Sequence, residues 1–204
     1  MGVDRLSRVA AVFLDRDGVI NRNVLNPATG AWESPLQPGQ VEIIPGVLPA
    51  MRRLRQAGYL LFVVSNQPNY AKAKSSLETL EAIHQRVERA IVEAGIEIAS
   101  FSYCFHHPEG LVPEYSGPCQ CRKPSPYFLL QARDRFDLDM GRSWMVGDRP
   151  SDMECGRRAG VRTIRIVNVD EGAQERGTAA DFVADGLAAA VAIIVRTHEA
   201  AGRP

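Results

Sequence analysis

Val12-Phe13-Leu14-Asp15-Arg16-Asp17-Gly18-Val19-Ile20-Asn21 decides how this chain is read. An apolar run stops abruptly at two carboxylates one residue apart, as a buried strand does when it ends at the carboxyl edge of a sheet. Open α/β sheets place their ligands at that edge. Gly18, directly after the pair, tolerates a backbone conformation that a Cβ would penalise, so the chain can turn sharply while both acids stay in the crevice. A strand followed by a solvated acidic turn is the plainer alternative, and the surrounding sequence has to decide between them.

Outward from this segment, strand and helix signals alternate, the pattern of an α/β fold with a doubly wound parallel sheet. Val9 to Leu14 is the first predicted strand. A helix opening at Pro45-Gly46 carries Val47, Met51 and Leu54 at helical spacing and closes at Gly58. Tyr59 to Val64 reads as the second strand, ending in Ser65-Asn66-Gln67-Pro68. A long helix from about Ser76 has Leu80, Ile83, Val87, Ile91 and Ala94 on one face. Ile98 to Phe105 forms the third strand, Ser125 to Phe136 a helix, and Trp144 to Gly147 a strand that ends at Asp148. Ser151 is the expected cap of the next helix. Val161 to Val169, a Gly/Glu/Gln loop, a weak strand at Phe182-Val183 and a final Ala-rich helix from about Gly186 complete the chain as one domain, residues 1–204.

Two segments resist this rhythm. Residues 21–44 contain Pro27, Gly30, Pro35, Pro38 and Gly39, too many breakers for a helix, and they adjoin the acidic pair. Residues 104–126 are equally rich in proline and glycine and would be hard to order without a cross-link. The stretches after the first strand and between the second and third strands are too short for a large cap domain.

The 204 residues are 45% hydrophobic and 24% charged, which suits one globular domain with a real core. Basic and acidic residues number 24 each, so no overall field draws the chain to nucleic acid or membrane. The first residues lack the apolar core of a secretory signal, and no apolar stretch reaches membrane length. The expectation is a cytoplasmic monomer acting on a small molecule.

Three of the four cysteines, Cys104, Cys119 and Cys121, crowd into the second irregular segment beside His106 and His107. In a reducing compartment such crowding points to a metal rather than a disulfide. A Cys3His set closes a tetrahedron around Zn²⁺ with no open position, so the metal would be structural and would clamp a loop over about 104–126. His106 fits the paired C-x-H and C-x-C arms, and His107 offers the same donor one residue on.

Polar groups at successive strand ends suit phosphoryl transfer. They are Asp15 and Asp17, Ser65 and Asn66, Arg122 and Lys123, and Asp148 with Asp152. A carboxylate can attack phosphorus, a second acid can serve the leaving oxygen, and hydroxyl, amide and cationic groups can neutralise the phosphoryl oxygens. Carboxylates this close need a cation to stay ionised together, and Mg²⁺, hard and oxygen-seeking, is the natural one.

In these motifs the chain resembles the haloacid dehalogenase superfamily of phosphohydrolases. Asp15-Arg16-Asp17-Gly18 matches its first motif, Ser65 its second, Lys123 its third and Gly147-Asp148-x-x-x-Asp152 its fourth. The resemblance implies that Asp15 is the nucleophile and Asp17 the acid/base. It implies a phosphate grip of Ser65 and Lys123, and Mg²⁺ on Asp15, the Asp17 backbone carbonyl and Asp148, with Asp152 behind them. Asn66 and Arg122 join the predicted phosphate-binding set as neighbours of Ser65 and Lys123.

Within the superfamily the chain is most similar to the heptose-bisphosphate phosphatase and histidinol-phosphatase family, through Asp15-to-Asn21, Ser65-Asn66-Gln67 and the Cys104-x-His106…Cys119-x-Cys121-Arg122-Lys123-Pro124 run. The long spacer between His106 and Cys119 favours the heptose branch. What this implies is a Mg²⁺-dependent phosphomonoester hydrolase acting on D-glycero-D-manno-heptose 1,7-bisphosphate through an aspartyl-phosphate, with a structural Zn²⁺. Histidinol phosphate hydrolysis and a non-catalytic, zinc-stabilised phospholigand module are the rival readings. The chain departs from the family at Pro68-Asn69-Tyr70-Ala71-Lys72-Ala73-Lys74, where Ser-Gly and then Arg-Gly are usual, close to the expected sugar site.

Overall fold

In the computed structural model, which describes residues 8–27, 30–167 and 179–201, the elements follow the predicted alternation. In chain order they are β1 (Ala11–Leu14), a short antiparallel pair β2 (Val24–Leu25) and β3 (Trp32–Glu33), α1 (Val47–Gln56), β4 (Leu60–Asn66) and α2 (Leu77–Glu93). Then come β5 (Ser100–Cys104), α3 (Tyr127–Phe136), β6 (Trp144–Gly147), α4 (Pro150–Ala159), β7 (Arg162–Ile166), β8 (Phe182–Ala184) and α5 (Leu187–Ala201).

Six strands form one parallel sheet in the order β5-β4-β1-β6-β7-β8. The chain winds outward from β1 to β5, returns, and winds outward on the other side through β6 to β8. Its topological switch point therefore lies between β1 and β6, and ligand crevices form at the carboxyl ends of strands there. Asp15 follows β1 and Asp148 follows β6, so the two motifs face each other across that crevice.

Successive residues of the central strands point to opposite faces, which separates two cores. Val12, Leu14, Leu61, Val63, Trp144 and Val146 pack under α1, α2 and α5. Ala11, Phe13, Phe62, Val64 and Met145 pack under α3 and α4, where Phe13 stacks on Phe62 at 5.1 Å between ring centroids. Both faces of β1 are buried, which is why its sequence is a continuous apolar run rather than an alternating one. Each buried Val, Leu, Phe or Met side chain among them contributes about 1.5–3 kcal/mol.

Several boundaries differ from expectation. Val9 and Ala10 lie outside β1, with Val9 bridging Leu138. β4 extends through Ser65 and Asn66, which pair in register with Tyr103 and Cys104, so these polar residues belong to the strand itself. Ser76 caps α2, accepting the Thr79 N–H at 3.1 Å. Ser151 does not cap α4: it lies in the first turn, and the Asp152 carboxylate takes the Arg149 N–H at 3.0 Å. Val169 and the Gly/Glu/Gln loop fall outside the described residues.

Among the described residues the chain makes only the β2–β3 pair and a single 3₁₀ turn at Pro38–Gln40 between β1 and α1, so no large cap is built there. Among the described residues no helix is long and apolar enough to cross a membrane.

Candidate active site

The chain turns out of β1 at Asp15-Arg16-Asp17-Gly18. Gly18 has φ +79, and a Cβ there would stand 2.5 Å from Asp148 Oδ2, so both the turn and the approach of Asp148 need glycine. Asp15, Asp17, Ser65, Lys123, Asp148 and Asp152 are all buried. Asp15, Asp17, Ser65, Asn66, Arg122, Lys123 and Asp152 line one cavity of about 330 Å³ at the switch point.

Lys123 is the hub of the acidic cluster. Its ammonium contacts Asp15 Oδ1 at 2.9 Å and Asp152 Oδ1 at 2.6 Å, and donates to the Val64 carbonyl at 2.7 Å. Burial alone lowers an ammonium's pKa, but Asp15 and Asp152 more than offset it and hold Lys123 charged. Asn66 fixes the Lys123 backbone from both sides: its Oδ1 accepts the Lys123 N–H at 3.0 Å and its Nδ2 donates to the Lys123 carbonyl at 3.1 Å. Asn66 thus steadies the lysine as well as lining the cavity.

Asp148 is different. Both of its carboxylate oxygens are buried without a hydrogen-bond partner, and burial together with Asp15 and Asp152 pushes its pKa well above the usual carboxylate range. An ionised carboxylate in that state is costly unless a cation joins it. Oxygens of Asp15, Asp148 and Asp152 lie within 4.8 Å of one another, close enough to share an ion. Asp152 already uses one oxygen on Lys123 and the other on the α4 N-terminus.

Asp17 is held by donors on both oxygens. Arg16 reaches Oδ1 through Nη2 at 3.0 Å and Nε at 3.2 Å, Asn21 Nδ2 donates to Oδ1 at 2.9 Å, and Gln67 Nε2 donates to Oδ2 at 2.6 Å. Burial opposes ionisation, but Arg16 and these amides hold the carboxyl below its usual range. Gln67 also donates to Ser65 Oγ at 3.0 Å, tying the second motif to the first.

The irregular segment 104–126 brings Cys104, His106, Cys119 and Cys121 together, with no disulfide among them. Sγ–Sγ separations of 3.0 to 3.8 Å and His106 Nδ1 at 3.7 and 3.9 Å from Cys121 and Cys104 approach the edges of a zinc-sized tetrahedron, about 3.8 Å for Zn–S bonds of about 2.3 Å. His107 stands outside the cluster and accepts the Glu109 N–H at 3.1 Å. Arg122 donates to the His106 carbonyl at 3.0 Å, and Gln67 N–H to the Cys104 carbonyl at 2.7 Å, so the cluster is wired to the cavity on two sides.

Lys72 and Lys74, from the stretch that departs from the family pattern near the expected sugar site, line the cavity, and so do three residues not anticipated from the sequence: Trp32 and Glu33 of β3 and Arg149. Lys74 pairs with Glu33 at 2.7 Å, latching the β2–β3 pair to the segment after β4. Arg149, adjacent to Asp148, could have been picked out by position alone. His84, on the α2 stripe, contacts Tyr103 Oη at 2.9 Å, and Cys155 is buried against the Ser125 carbonyl.

Known proteins share this fold and part of this sequence. Residues 120–190 match the family of haloacid-dehalogenase-like hydrolases. The D-glycero-beta-D-manno-heptose-1,7-bisphosphate 7-phosphatase of Salmonella typhi is 36% identical over 88% of this chain and 92% of its own length, and that of Vibrio cholerae is 38% identical over 87% and 91%. The D,D-heptose 1,7-bisphosphate phosphatase of B. bronchiseptica, solved with magnesium and phosphate, superposes with a TM-score of 0.73 at 27% identity over 93% of this chain and 99% of that one. The fold and site define a phosphatase of the haloacid-dehalogenase-like class. Within it, this chain belongs to the heptose-1,7-bisphosphate 7-phosphatase family.

Proposed function

We propose that this chain hydrolyses D-glycero-D-manno-heptose 1,7-bisphosphate at the 7-phosphate, with Asp15 as nucleophile. The observation that carries the reading is the pairing of a lysine-neutralised Asp15 with an Asp148 carboxylate whose two buried oxygens have no partner. Two anionic carboxylates and a neutral backbone carbonyl, all oxygen donors, fit Mg²⁺ on Asp15, Asp148 and the Asp17 carbonyl. When bound, the ion supplies positive charge to the phosphoryl oxygens. Asp152, with both oxygens engaged, stays behind as the support of Lys123.

Asp15 forms a bond to phosphorus as the bond from phosphorus to the sugar oxygen breaks. Asp17 gives its proton to that departing oxygen, and Ser65 and Lys123 hold the phosphoryl oxygens. Water then attacks the aspartyl-phosphate, Asp17 takes the proton, and Asp15 is released. Donors hold Asp17 ionised at rest, and the negative charge of an arriving phosphate opposes that form, so substrate binding favours proton uptake.

Lys72, Arg122 and Arg149 line the same cavity, and among the described residues no carboxylate makes a salt bridge with any of them, which supports a substrate carrying a second anionic group. Cys104, His106, Cys119 and Cys121 fit a structural Zn²⁺, whose service is to hold Arg122 and Lys123 in place. Reduced thiols suit a cytoplasmic setting.

The test is phosphate release from both anomers of the heptose bisphosphate, sugar monophosphates, histidinol phosphate and a 3′-phosphorylated oligonucleotide, with and without Mg²⁺. The heptose bisphosphate with Mg²⁺ should give the highest kcat/KM. A response confined to histidinol phosphate overturns the substrate assignment.

A further inference from the structure

Arg16 sits between the two aspartates, yet it is 1% exposed. Its guanidinium meets Asp17 through both Nε and Nη2, and the same Nη2 donates to Gln67 Oε1 at 2.7 Å. That last bond fixes which way the Gln67 amide faces. With Oε1 turned to Arg16, Nε2 is left to donate to Asp17 Oδ2 and Ser65 Oγ. A flipped amide would set its NH2 against a guanidinium, donor against donor.

The arginine is braced from behind. Its guanidinium carbon lies 5.5 Å from the Tyr103 ring centroid, within the range of a cation–π contact. Tyr103 is in turn held by His84 Nδ1 at 2.9 Å from its hydroxyl, with the two rings edge to face at 4.9 Å. His84 belongs to α2 and has Glu88 one turn on, 3.5 Å from Nε2. A connected set of side chains thus runs from α2 through β5 to Asp17.

We propose that Arg16, backed by Tyr103 and acting with Gln67, is a positioning residue that fixes the Asp17 carboxyl for proton exchange with the leaving oxygen. This rests on the proposed function, in which Asp17 serves that oxygen. Five polar contacts from three side chains leave Asp17 one orientation. Losing the guanidinium frees both the carboxylate and the amide beside it.

Leaving-group dependence tests this. An alkyl phosphate needs its departing oxygen protonated, whereas 4-nitrophenolate leaves without help. Arg16→Met should therefore lower kcat/KM about 100-fold for the sugar phosphate that the wild type cleaves best, and less than about fivefold for 4-nitrophenyl phosphate. Arg16→Lys should recover part of the loss. Because Arg16→Met removes a buried charge and can impair folding, Tyr103→Leu provides a second route, with a loss of about tenfold for the sugar phosphate and circular dichroism unchanged from wild type.

Equal losses on the two esters in Arg16→Met and in Tyr103→Leu, or no loss in either, would overturn the assignment. A wild-type chain that cleaves neither ester removes the proposed function and this inference with it. Cleavage of 4-nitrophenyl phosphate that Asp15→Asn abolishes shows that the nucleophile stands whatever the variants of Arg16 do.

Discussion

Gly18 and Asp148, on different strands' ends, are packed so closely that a methyl group on the first would lie 2.5 Å from Oδ2 of the second. The same methyl would lie 2.9 Å from Asn23 Nδ2, and the backbone at Gly18 is left-handed. Gly18→Ala should therefore cost about 1–3 kcal/mol in strain, read by urea unfolding. By displacing the Asp148 carboxylate it should also lower kcat by about 100-fold. A variant with wild-type stability and turnover would show that this contact is dispensable.

Lys123 stands between two buried carboxylates. Lys123→Met leaves Asp15 and Asp152 without their shared cation, and breaking a buried pair in this way costs about 3–5 kcal/mol. Turnover should vanish in the same variant. The double variant Lys123→Met/Asp152→Leu should regain much of the stability and none of the activity, which separates the lysine's two duties.

Asp148 predicts how magnesium and pH interact. In the metal-free chain its pKa lies above that of an unfolded aspartate, so between those two values the folded chain keeps a proton that the unfolded chain has released. Stability of the metal-free chain is therefore lost as pH rises through the raised pKa. Magnesium competes for the same oxygens, so the rise in Tm on adding MgCl2 should be larger at about pH 8 than at about pH 5. A magnesium effect that is equal at both, or larger in acid, contradicts the placement of the ion on Asp148.

The thiol cluster makes a prediction of its own. Elemental analysis of chain purified without chelators should find about one zinc per chain, and Cys119→Ser should lose most of it together with several degrees of Tm. Since Arg122 is bonded to the His106 carbonyl and adjoins Lys123, activity should fall in parallel. Chain that holds no zinc and is fully active would remove the structural role.

The framework was legible because β1, β4 and β6 are continuous apolar runs, each ending in residues that a core would not tolerate. Asp15, Ser65 and Asp148 could be named from the chain because each stands at or just beyond such an end, the cysteines because their spacing is paired, and Lys123 because it directly follows that paired run. The β2–β3 pair escaped notice: two-residue strands in a stretch broken by proline and glycine carry no periodicity. Lys72 was noticed only as a departure from pattern, since its approach to Arg122 and Arg149 depends on how three loops fold over one another. Ser151 illustrates a propensity overridden by context, for Asp152 satisfies the α4 N-terminus while holding Lys123. Arg16 gave no sign of its role, because an arginine between two acids reads equally well as a solvated turn.

The central claim is that Asp15 takes the phosphoryl group. Acid-quenching the enzyme during turnover with Mg²⁺ and its sugar phosphate, followed by mass spectrometry of the digested chain, tests it directly. A phosphoryl adduct on the peptide bearing Asp15, absent from Asp15→Asn, is the predicted result. An adduct on another residue, or sustained turnover by Asp15→Asn, would contradict it.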